Sequence, residues 1–369
     1  MKLFKSLLVA PATLGLLAPL SATANEVTIS DFAPAEELAV TNSRVDGLEA
    51  RLNDFEAGSF SSTTSASFSV DMAIGAVDGN LASEALSTAY GYQIDLSTSF
   101  TGEDNLAVAI DAGDNAAALG ELDLNETADG LTVDGITYSF PVGEKLSVLV
   151  GDSTSGSALY STACVYEGFT NTLDDCGNLT SAIVATGHAD SVGFSASYDI
   201  GNGFTGAIGY QGQGTANAGL GTDAGVDFYG GQLTYTADSF GASVTYANVD
   251  TATAWGLNGY YTFSSNLPSI SVGYEWTENE AVNGVAVEDD TQWFAGLQWD
   301  EIGPGKLGIS AGTKGAQRDG GTEEMAYEAF YAYSVNDSMT ITPAVFILEN
   351  NGTGEEDETG VVVKTSFSF

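Results

Sequence analysis

Carboxylates are the side chains of this sequence that could do chemistry, because other reactive groups are scarce. The 369 residues include 50 acidic residues, nine basic residues and a single histidine, His188. A Ser-His-Asp arrangement would have to be built around that histidine, which lies in a long polar segment. The sequence contains no phosphate-cradling loop and no spacing typical of metal ligands. We therefore expect neither an enzyme nor a bound cofactor or metal.

Carboxylates with a defined orientation are those that alternate with apolar residues. In the stretch ISVGYEW, at 270–276, every second residue is apolar and Glu275 occupies the opposite register. This alternation is typical of a β-strand with one apolar and one polar face. If the apolar faces meet lipid, the polar faces enclose a lumen, where rings of carboxylates favour the passage of cations. The candidate pore-lining residues are Asp71, Asp95, Asp111, Asp199, Glu275, Glu328, Lys145, Lys314 and Lys364.

Sixteen segments of the chain alternate in this way, and a strand of about 10 residues is long enough to span a bilayer when tilted. The pattern predicts an all-β fold, a transmembrane antiparallel β-barrel of about 16 strands. A barrel of that size is expected to enclose an aqueous channel rather than a packed core. The segments lie at 61–77, 83–100, 104–112, 130–140, 144–152, 189–200, 203–213, 225–237, 240–249, 252–263, 268–278, 290–300, 305–315, 325–335, 338–349 and 360–369.

Connections between these segments alternate in length. Those after even-numbered segments are short, whereas several after odd-numbered segments are long, at 113–129, 153–188, 214–224, 279–289 and 350–359. Short turns on one side and long loops on the other are typical of outer-membrane barrels and not of a β-sandwich. The last segment, VVVKTSFSF, also alternates and places Lys364 on the channel side. We expect it to close the barrel against the segment that begins near Phe60.

The longest connection, 153–188, is the candidate constriction loop. Long loops without secondary structure of their own are usually functional, and this one carries Glu167, Asp174 and Asp175. It also contains both cysteines of the chain, Cys164 and Cys176. Because disulfides form readily in exported proteins, we expect a structural bridge between them. The loop narrows the channel if it folds inward and is a stapled surface loop if it folds outward; the sequence leaves both open.

The formal charge of the chain is −41, which becomes −43 once Lys2 and Lys5 are removed with a cleaved leader. A field of this sign repels nucleic acid and anionic lipid head groups and attracts small cations. Charged residues make up only 16% of the chain and hydrophobic residues 43%, which argues against disorder. An acidic surface suited to salty water would explain the same charge without any selectivity, and that alternative remains open.

The amino-terminal region divides into a leader and a stem. Residues 1–24 combine a basic start, an apolar stretch and the cleavage signal ATA, which is typical of a secretory signal peptide. Leu38, Val45 and Leu52 repeat every seven residues, an a/d pattern that predicts a short helical, coiled-coil-like stem within a periplasmic linker at 25–58. An amphipathic helix packed on its own chain is the alternative. The barrel domain then occupies 59–369.

Four stretches resemble a known family. MKLFKSLLVAPATLGLLAP, VDGLEARLNDFEAGSFSSTT, TACVYEGFTNTLDDCGN and the final SFSF are similar to marine cyanobacterial outer-membrane porins that combine an SLH domain with an OprB-type carbohydrate-porin barrel. The resemblance implies a homotrimer whose third outer loop constricts the pore, and a terminal Phe369 that the barrel-assembly machinery reads. Only residues 25–37 occupy the place of the SLH domain, so contact with the cell wall by the usual route is in doubt.

These observations together predict an outer-membrane channel for the passive diffusion of ions and small hydrophilic solutes, with a preference for cations. Its expected partners are outer-membrane lipid, small ions and solutes, and further copies of the chain, but not nucleic acid. Two alternatives stay open. One is a carbohydrate-selective channel, and the other is a structural envelope protein that links the outer membrane to the cell wall.

Overall fold

The computed structural model describes residues 63–369 except 80–84, 115–116, 126, 162, 175, 177–190, 214–218, 223–224, 250–251, 265, 282–285 and 351–355. The expected leader at 1–24 and stem at 25–58 lie outside the described residues, as do Asp175 and His188. Among the described residues, no helix has the length and apolar character needed to cross a membrane.

In the described part of the chain, seventeen antiparallel strands form one sheet. Sixteen are long, and each overlaps one of the 16 segments predicted from alternation; the remaining strand, β14, has two residues. The strands are β1 (Thr64–Asp78), β2 (Ser87–Thr98), β3 (Asn105–Asp114), β4 (Thr132–Val142), β5 (Leu146–Asp152), β6 (Ser191–Gly201), β7 (Phe204–Gln213), β8 (Asp227–Thr236), β9 (Phe240–Val249), β10 (Ala252–Tyr261), β11 (Ser269–Asn279), β12 (Asp290–Ile302), β13 (Gly305–Thr313), β14 (Gln317–Arg318), β15 (Met325–Asn336), β16 (Met339–Leu348) and β17 (Glu358–Ser368).

The sheet closes on itself, because β1 pairs with both β2 and β17. At this seam Val70 lies opposite Phe367. The backbone N–H of Phe68 donates to the Phe369 carbonyl at 2.8 Å, the Phe369 N–H donates to the Phe68 carbonyl at 3.0 Å, and the two rings stack at 5.8 Å. These contacts hold a terminus that would otherwise fray. The predicted barrel and its closure by the last strand are confirmed.

Turn lengths follow the predicted parity. The connections after β2, β4, β6, β8, β10, β12 and β15 are short, and the longest connections lie at the other end of the barrel. The β6–β7 hairpin turns through Asn202 and Gly203, whose φ angles are 55° and 84°. Positive φ at both central residues is the geometry that matches the twist of paired strands, and Asn-Gly adopts it readily.

Outward-facing side chains are largely apolar. On β11, Ile270, Val272 and Tyr274 are exposed, whereas Ser271 and Glu275, on the opposite face of the strand, are 1% and 2% exposed. Aromatic rings gather at both ends, with Phe204, Tyr235 and Phe240 near the short turns and a second group near the long connections, comprising Tyr246, Trp255, Tyr274 and Trp276. An apolar surface on this scale is unusual in water, and an apolar band between aromatic girdles is typical of a bilayer-spanning barrel.

The interior differs from the expectation of an unobstructed aqueous channel. An apolar cluster packs against the inner faces of β12, β15, β16 and β17 and of β1 and β2, and its wall residues include Phe294, Phe330 and Phe346. The other half of the cluster comes from two long connections, β3–β4 and β5–β6. The expectation that no packed core occupies the barrel is therefore wrong for this side, because two loops fold inward and bury their apolar side chains there.

Candidate functional site

The described residues of 153–176 in the β5–β6 connection, called here the inner loop, lie against the inner face of the barrel. Polar wall side chains from β7, β8, β11 and β12 accept hydrogen bonds from its backbone N–H groups, which need partners once they leave water. The pairs are Gly156 to Gln211 at 3.0 Å, Ser161 to Gln232 at 2.6 Å, Val165 to Ser271 at 3.1 Å and Glu167 to Gln298 at 2.8 Å. Of the two directions left open by the sequence, the inner loop takes the inward one.

A glycine pair permits the inner loop to approach the wall closely. A β-carbon placed on Gly209 of β7 would lie 1.7 Å from the carbonyl oxygen of Gly156. No side chain fits in that space, so both the loop and the strand must expose bare backbone at this point.

Glu328 on β15 binds the inner loop most extensively. Its side chain accepts bonds from the Tyr166 hydroxyl at 2.7 Å, the Phe169 N–H at 3.0 Å, and the N–H and hydroxyl of Thr170 at 2.8 and 2.6 Å. Four donors match the acceptor sites of an ionised carboxylate. Burial, and then the neighbouring Glu328, raise the pKa of Tyr166 above its ordinary value, so its hydroxyl stays a donor. Glu328 points inward as expected, but at 3% exposure the loop covers it.

Aromatic contacts fix the same part of the inner loop. The Tyr166 ring lies 5.3 Å from that of Phe294 and 6.0 Å from that of Phe330. Phe169 lies 6.2 Å from Phe330 and carries the Lys364 ammonium 5.4 Å above its ring. A cation over an aromatic face is attracted by the ring quadrupole. Lys364 therefore faces the lumen and is engaged by the inner loop.

The β3–β4 connection joins the inner loop inside the barrel. It contains a short 3-10 helix, Ala117–Leu122, and contributes Leu119, Leu122 and Leu124 to the apolar cluster. Its Glu121 accepts bonds from the N–H and hydroxyl of Thr172, at 3.3 and 2.8 Å, and its carbonyl accepts one from the Asn171 N–H at 2.8 Å. The two connections therefore form one inward-folded unit.

A disulfide between Cys164 and Cys176 closes a ring within the inner loop, and that prediction is confirmed. Glu167 of this ring forms an ion pair with Lys306 on β13 at 2.6 Å and leaves 66% of its side chain exposed. Glu167 and the half-buried Asp174 line a cavity of about 480 Å³ together with Gln298 and Asp300. The third candidate constriction residue, Asp175, lies outside the described residues.

The inner faces of β1 to β4 carry further carboxylates; we call them the acidic wall. Asp71 and Asp95 are half-buried, and Asp95 accepts a bond from Gln93 at 2.8 Å. Asp111, 9% exposed, accepts one from Thr132. The alternation pattern missed a further acid, Asp134, because it occupies a bulge in the β3–β4 pairing. Its charge is repelled by those of Asp95, Asp111 and Asp123.

The remaining predicted pore-lining residues lie in three kinds of place. Glu275 points inward on β11 but is buried, and Asp199 is exposed near the short turns, where it caps the Gly201 N–H at 2.8 Å. Lys145 lies in the β4–β5 turn. Lys314 follows β13 and binds the Glu349 carbonyl and the Asn350 side chain. Neither lysine stands on an inward strand position, because alternation stops where the strands end.

These features match solved barrels of one architecture. A mutant of the Rh. blastica porin superposes with a TM-score of 0.52, at 14% identity, over 83% of this chain and 100% of that chain. The high-pH structure of Pseudomonas putida OprB gives a TM-score of 0.61, at 12% identity, over 83% of this chain and 94% of that chain. The chain has the porin fold. The resemblance to OprB-type porins drawn from the sequence is thereby confirmed at the level of fold.

One relative extends the comparison to sequence. An uncharacterized protein of Nostoc sp. (strain PCC 7120) is 25% identical over 95% of this chain and 74% of its own length. No family model matches the chain.

Several residues that shape the barrel interior were not predicted from the sequence. They are polar side chains that bind the inward loops rather than line an open path, namely Glu121, Gln211, Gln232, Gln298 and Lys306. The inward register of the three glutamines was a usable signal, since a long amide side chain on that face can bridge to a loop backbone. Within the described residues, no group of His, Cys, Asp and Glu side chains has the arrangement of a metal site.

Proposed function

We propose that this protein is an outer-membrane porin, a passive channel for ions and small hydrophilic solutes that prefers cations. The observation that carries the proposal is the charge of the acidic wall. Residues 64–142, which comprise β1 to β4 and their connections, contain 13 acidic residues and neither lysine nor arginine. A cation that passes this wall meets carboxylates without a basic residue between them in the sequence.

The distribution of basic residues supports the same preference. Eight of the 50 acidic residues and four of the nine basic residues precede Phe60, which leaves 42 acidic and five basic residues in the rest of the chain. Of these five, Lys306 pairs with Glu167, Arg318 lies 3.9 Å from Asp290, and Lys364 lies over Phe169. Lys314 binds the β16–β17 connection and Lys145 lies in a turn. All five follow β4 in the sequence. Lys364 borders the acidic wall, because it lies opposite Ala73 of β1 where β17 closes the barrel.

Electrostatics turn this distribution into selectivity. Carboxylates on a wall with low-dielectric surroundings raise the local concentration of cations and lower that of anions. The effect weakens with ionic strength, since the screening length is about 10 Å at 0.1 M salt and about 3 Å at 1 M. We therefore expect cation preference to be strongest in dilute salt, which separates selectivity from a charge that serves only solubility in brine.

The proposal includes a cellular setting. The apolar outer band and the porin fold support insertion into the outer membrane, and the leader-like residues 1–24 support export. Assembly as a homotrimer rests on the family resemblance alone. Transport of a carbohydrate is the competing specificity, and the OprB likeness, at 12% identity, bears on the fold rather than on the solute.

Planar-bilayer recording of the purified protein tests the proposal. We expect stepwise insertion of open channels and, across a KCl gradient, a reversal potential of the sign that marks cation preference, shrinking as both solutions are made more concentrated. Oligosaccharide added to one side should leave the ion current unblocked. A silent membrane would contradict the channel, an anion-selective potential would contradict the preference, and saturable block by sugar would favour the carbohydrate-selective alternative.

A further inference from the structure

Two carboxylates bind the disulfide-closed part of the inner loop, 164–176, from separate elements. Glu328 belongs to β15, and Glu121 belongs to the β3–β4 connection. Thr170 directs its N–H and its hydroxyl to Glu328, and Thr172, two residues later, directs the same two groups to Glu121. The ring is therefore held by two sets of charge-assisted bonds, one to the barrel wall and one to the neighbouring loop.

We propose that Glu121 and Glu328 form a latch that holds the inner loop in place and thereby sets the width of the passage that this loop leaves inside the barrel. The two glutamates act as positioning residues, whereas Asp71, Asp95 and Asp111 act on permeating ions directly. The inference rests on the proposed channel function for its consequence, but the latch itself is a property of the fold.

The chemistry of the bonds singles out these two residues. Elsewhere along the inner loop the wall acceptors are neutral amides and hydroxyls, such as Gln211, Gln298 and Ser271. Hydrogen bonds to an ionised group are roughly twice as strong as neutral ones. Glu328 is also almost fully buried, so withdrawal of the loop would strand a carboxylate with four lost donors until water entered. A loop docked on Glu328 is therefore strongly favoured over a loop that has partly withdrawn from the wall.

The disulfide adds to this preference. It closes the segment that carries Tyr166, Phe169, Thr170 and Thr172, all of which contribute donors to the latch. A closed ring has fewer conformations than an open segment, so its donors reach the two carboxylates with less loss of entropy. The latch therefore acts on a preorganised ring and specifies where that ring sits.

Hydrogen exchange of the folded protein, followed by mass spectrometry of peptides from 163–174, tests the latch without reference to conduction. Glu328→Gln replaces one acceptor oxygen by an NH₂ group, which in either orientation of the amide faces two of the four donors. We expect exchange in this segment to accelerate at least about tenfold, since a bond to a charged group contributes more than a neutral one. Asp95→Asn, which removes an inward carboxylate from the acidic wall, is the matched control and should leave the segment unchanged.

Variants on the loop side keep the test decisive if Glu328→Gln assembles poorly. Thr170→Val and Thr172→Val each remove one hydroxyl donor and keep the side-chain shape. The effects of Glu328→Gln and Thr170→Val should be non-additive, as expected for partners in one set of bonds. Unchanged exchange in Glu328→Gln and Thr170→Val, or equal acceleration by Asp95→Asn, would overturn the latch.

Single-channel recording tests the consequence. Glu328→Gln should raise conductance or add transitions between current levels and lower cation preference, although it removes no carboxylate from the acidic wall. Asp95→Asn should lower cation preference and leave the current levels steady. Faster exchange with wild-type currents would refute the link between latch and passage. A wild-type protein that does not conduct would refute the proposed function, while the exchange measurement would still decide the latch.

Discussion

The two sides of the barrel interior use the same strand pattern for different purposes. On the covered side, β6 to β17, inward polar residues bind the inner loop, and a buried glutamate, Glu328, accepts four of its donors. On the acidic wall, β1 to β4, inward aspartates such as Asp95 remain half-buried with local partners. The inward register alone therefore does not decide whether a carboxylate stays open to the lumen or serves as a structural acceptor; a loop that lies over it decides.

The seam at which β17 meets β1 joins these two sides, and disrupting it should have the largest effect. Phe369 stacks on Phe68 and exchanges two backbone bonds with it. Phe369→Asp replaces the ring by a charge at the edge of the apolar band, and we expect most of the assembled barrel to be lost from the outer membrane. Folded barrel is measured by heat-modifiable mobility in gels. Phe369→Tyr is the control, and normal yield of Phe369→Asp would refute the prediction.

Removing an apolar contact of the inner loop should affect the covered side alone. Leu173 is 0% exposed within the apolar cluster, and Leu173→Ala deletes buried methyl groups and leaves a cavity. We expect the loop to lose about 2–5 kcal/mol of docking free energy, seen as faster hydrogen exchange at 163–174 with the strand amides unchanged. Leu131→Ala, at an exposed leucine, is the control. Slowed or unaltered exchange after Leu173→Ala would contradict the packing.

Neutralising carboxylates on each side tests whether burial separates their effects on ion selectivity. The triple variant Asp71→Asn, Asp95→Asn, Asp111→Asn removes three charges from the acidic wall, and we expect the cation-to-anion permeability ratio to fall severalfold in dilute salt. Glu275→Gln removes one charge from the same inward register on the covered side, where Glu275 is 2% exposed. It should change the ratio little. A comparable effect per charge in both variants would mean that burial does not separate the two sides.

The smallest expected effect concerns the β2–β3 turn, which connects two strands of the acidic wall. The Thr101 backbone N–H, with help from the Tyr138, Thr101 and Ser99 hydroxyls, holds the pKa of Asp104 well below its ordinary value. A lowered pKa means that these bonds stabilise the fold above the unfolded pKa, about 3.9, and that this contribution fades as pH falls toward the folded pKa.

Urea unfolding at several pH values measures this contribution. The difference in stability between wild type and Asp104→Asn should be constant above about pH 5 and should shrink at lower pH. Glu103→Gln, in the same exposed turn, is the control and should show no such trend. A difference that grows as the solution becomes more acidic would have the wrong sign and would contradict the assignment.

Much of the fold could be predicted from local pattern. Alternation of period two indicates a strand whatever its partners are, so all 16 long strands overlap predicted segments. Turn parity and the pairing of β17 with β1 follow from an even number of long antiparallel strands. The inward register of Asp71, Asp95, Glu275 and Glu328 could also be predicted, because successive side chains point to opposite faces.

The strands and their two faces could be predicted because they depend on local periodicity. The closure of the barrel follows from the number of long strands, and the disulfide follows from the two cysteines of the chain. Tertiary structure alone decided that the β5–β6 connection folds inward, that Glu328 is covered while Asp95 is not, and that Lys145 and Lys314 lie beyond the strand ends. The physical reason is distance along the chain. Thr170 and Glu328 are 158 residues apart, and no local pattern shows which of many inward carboxylates will meet a loop that must cross the barrel to reach it.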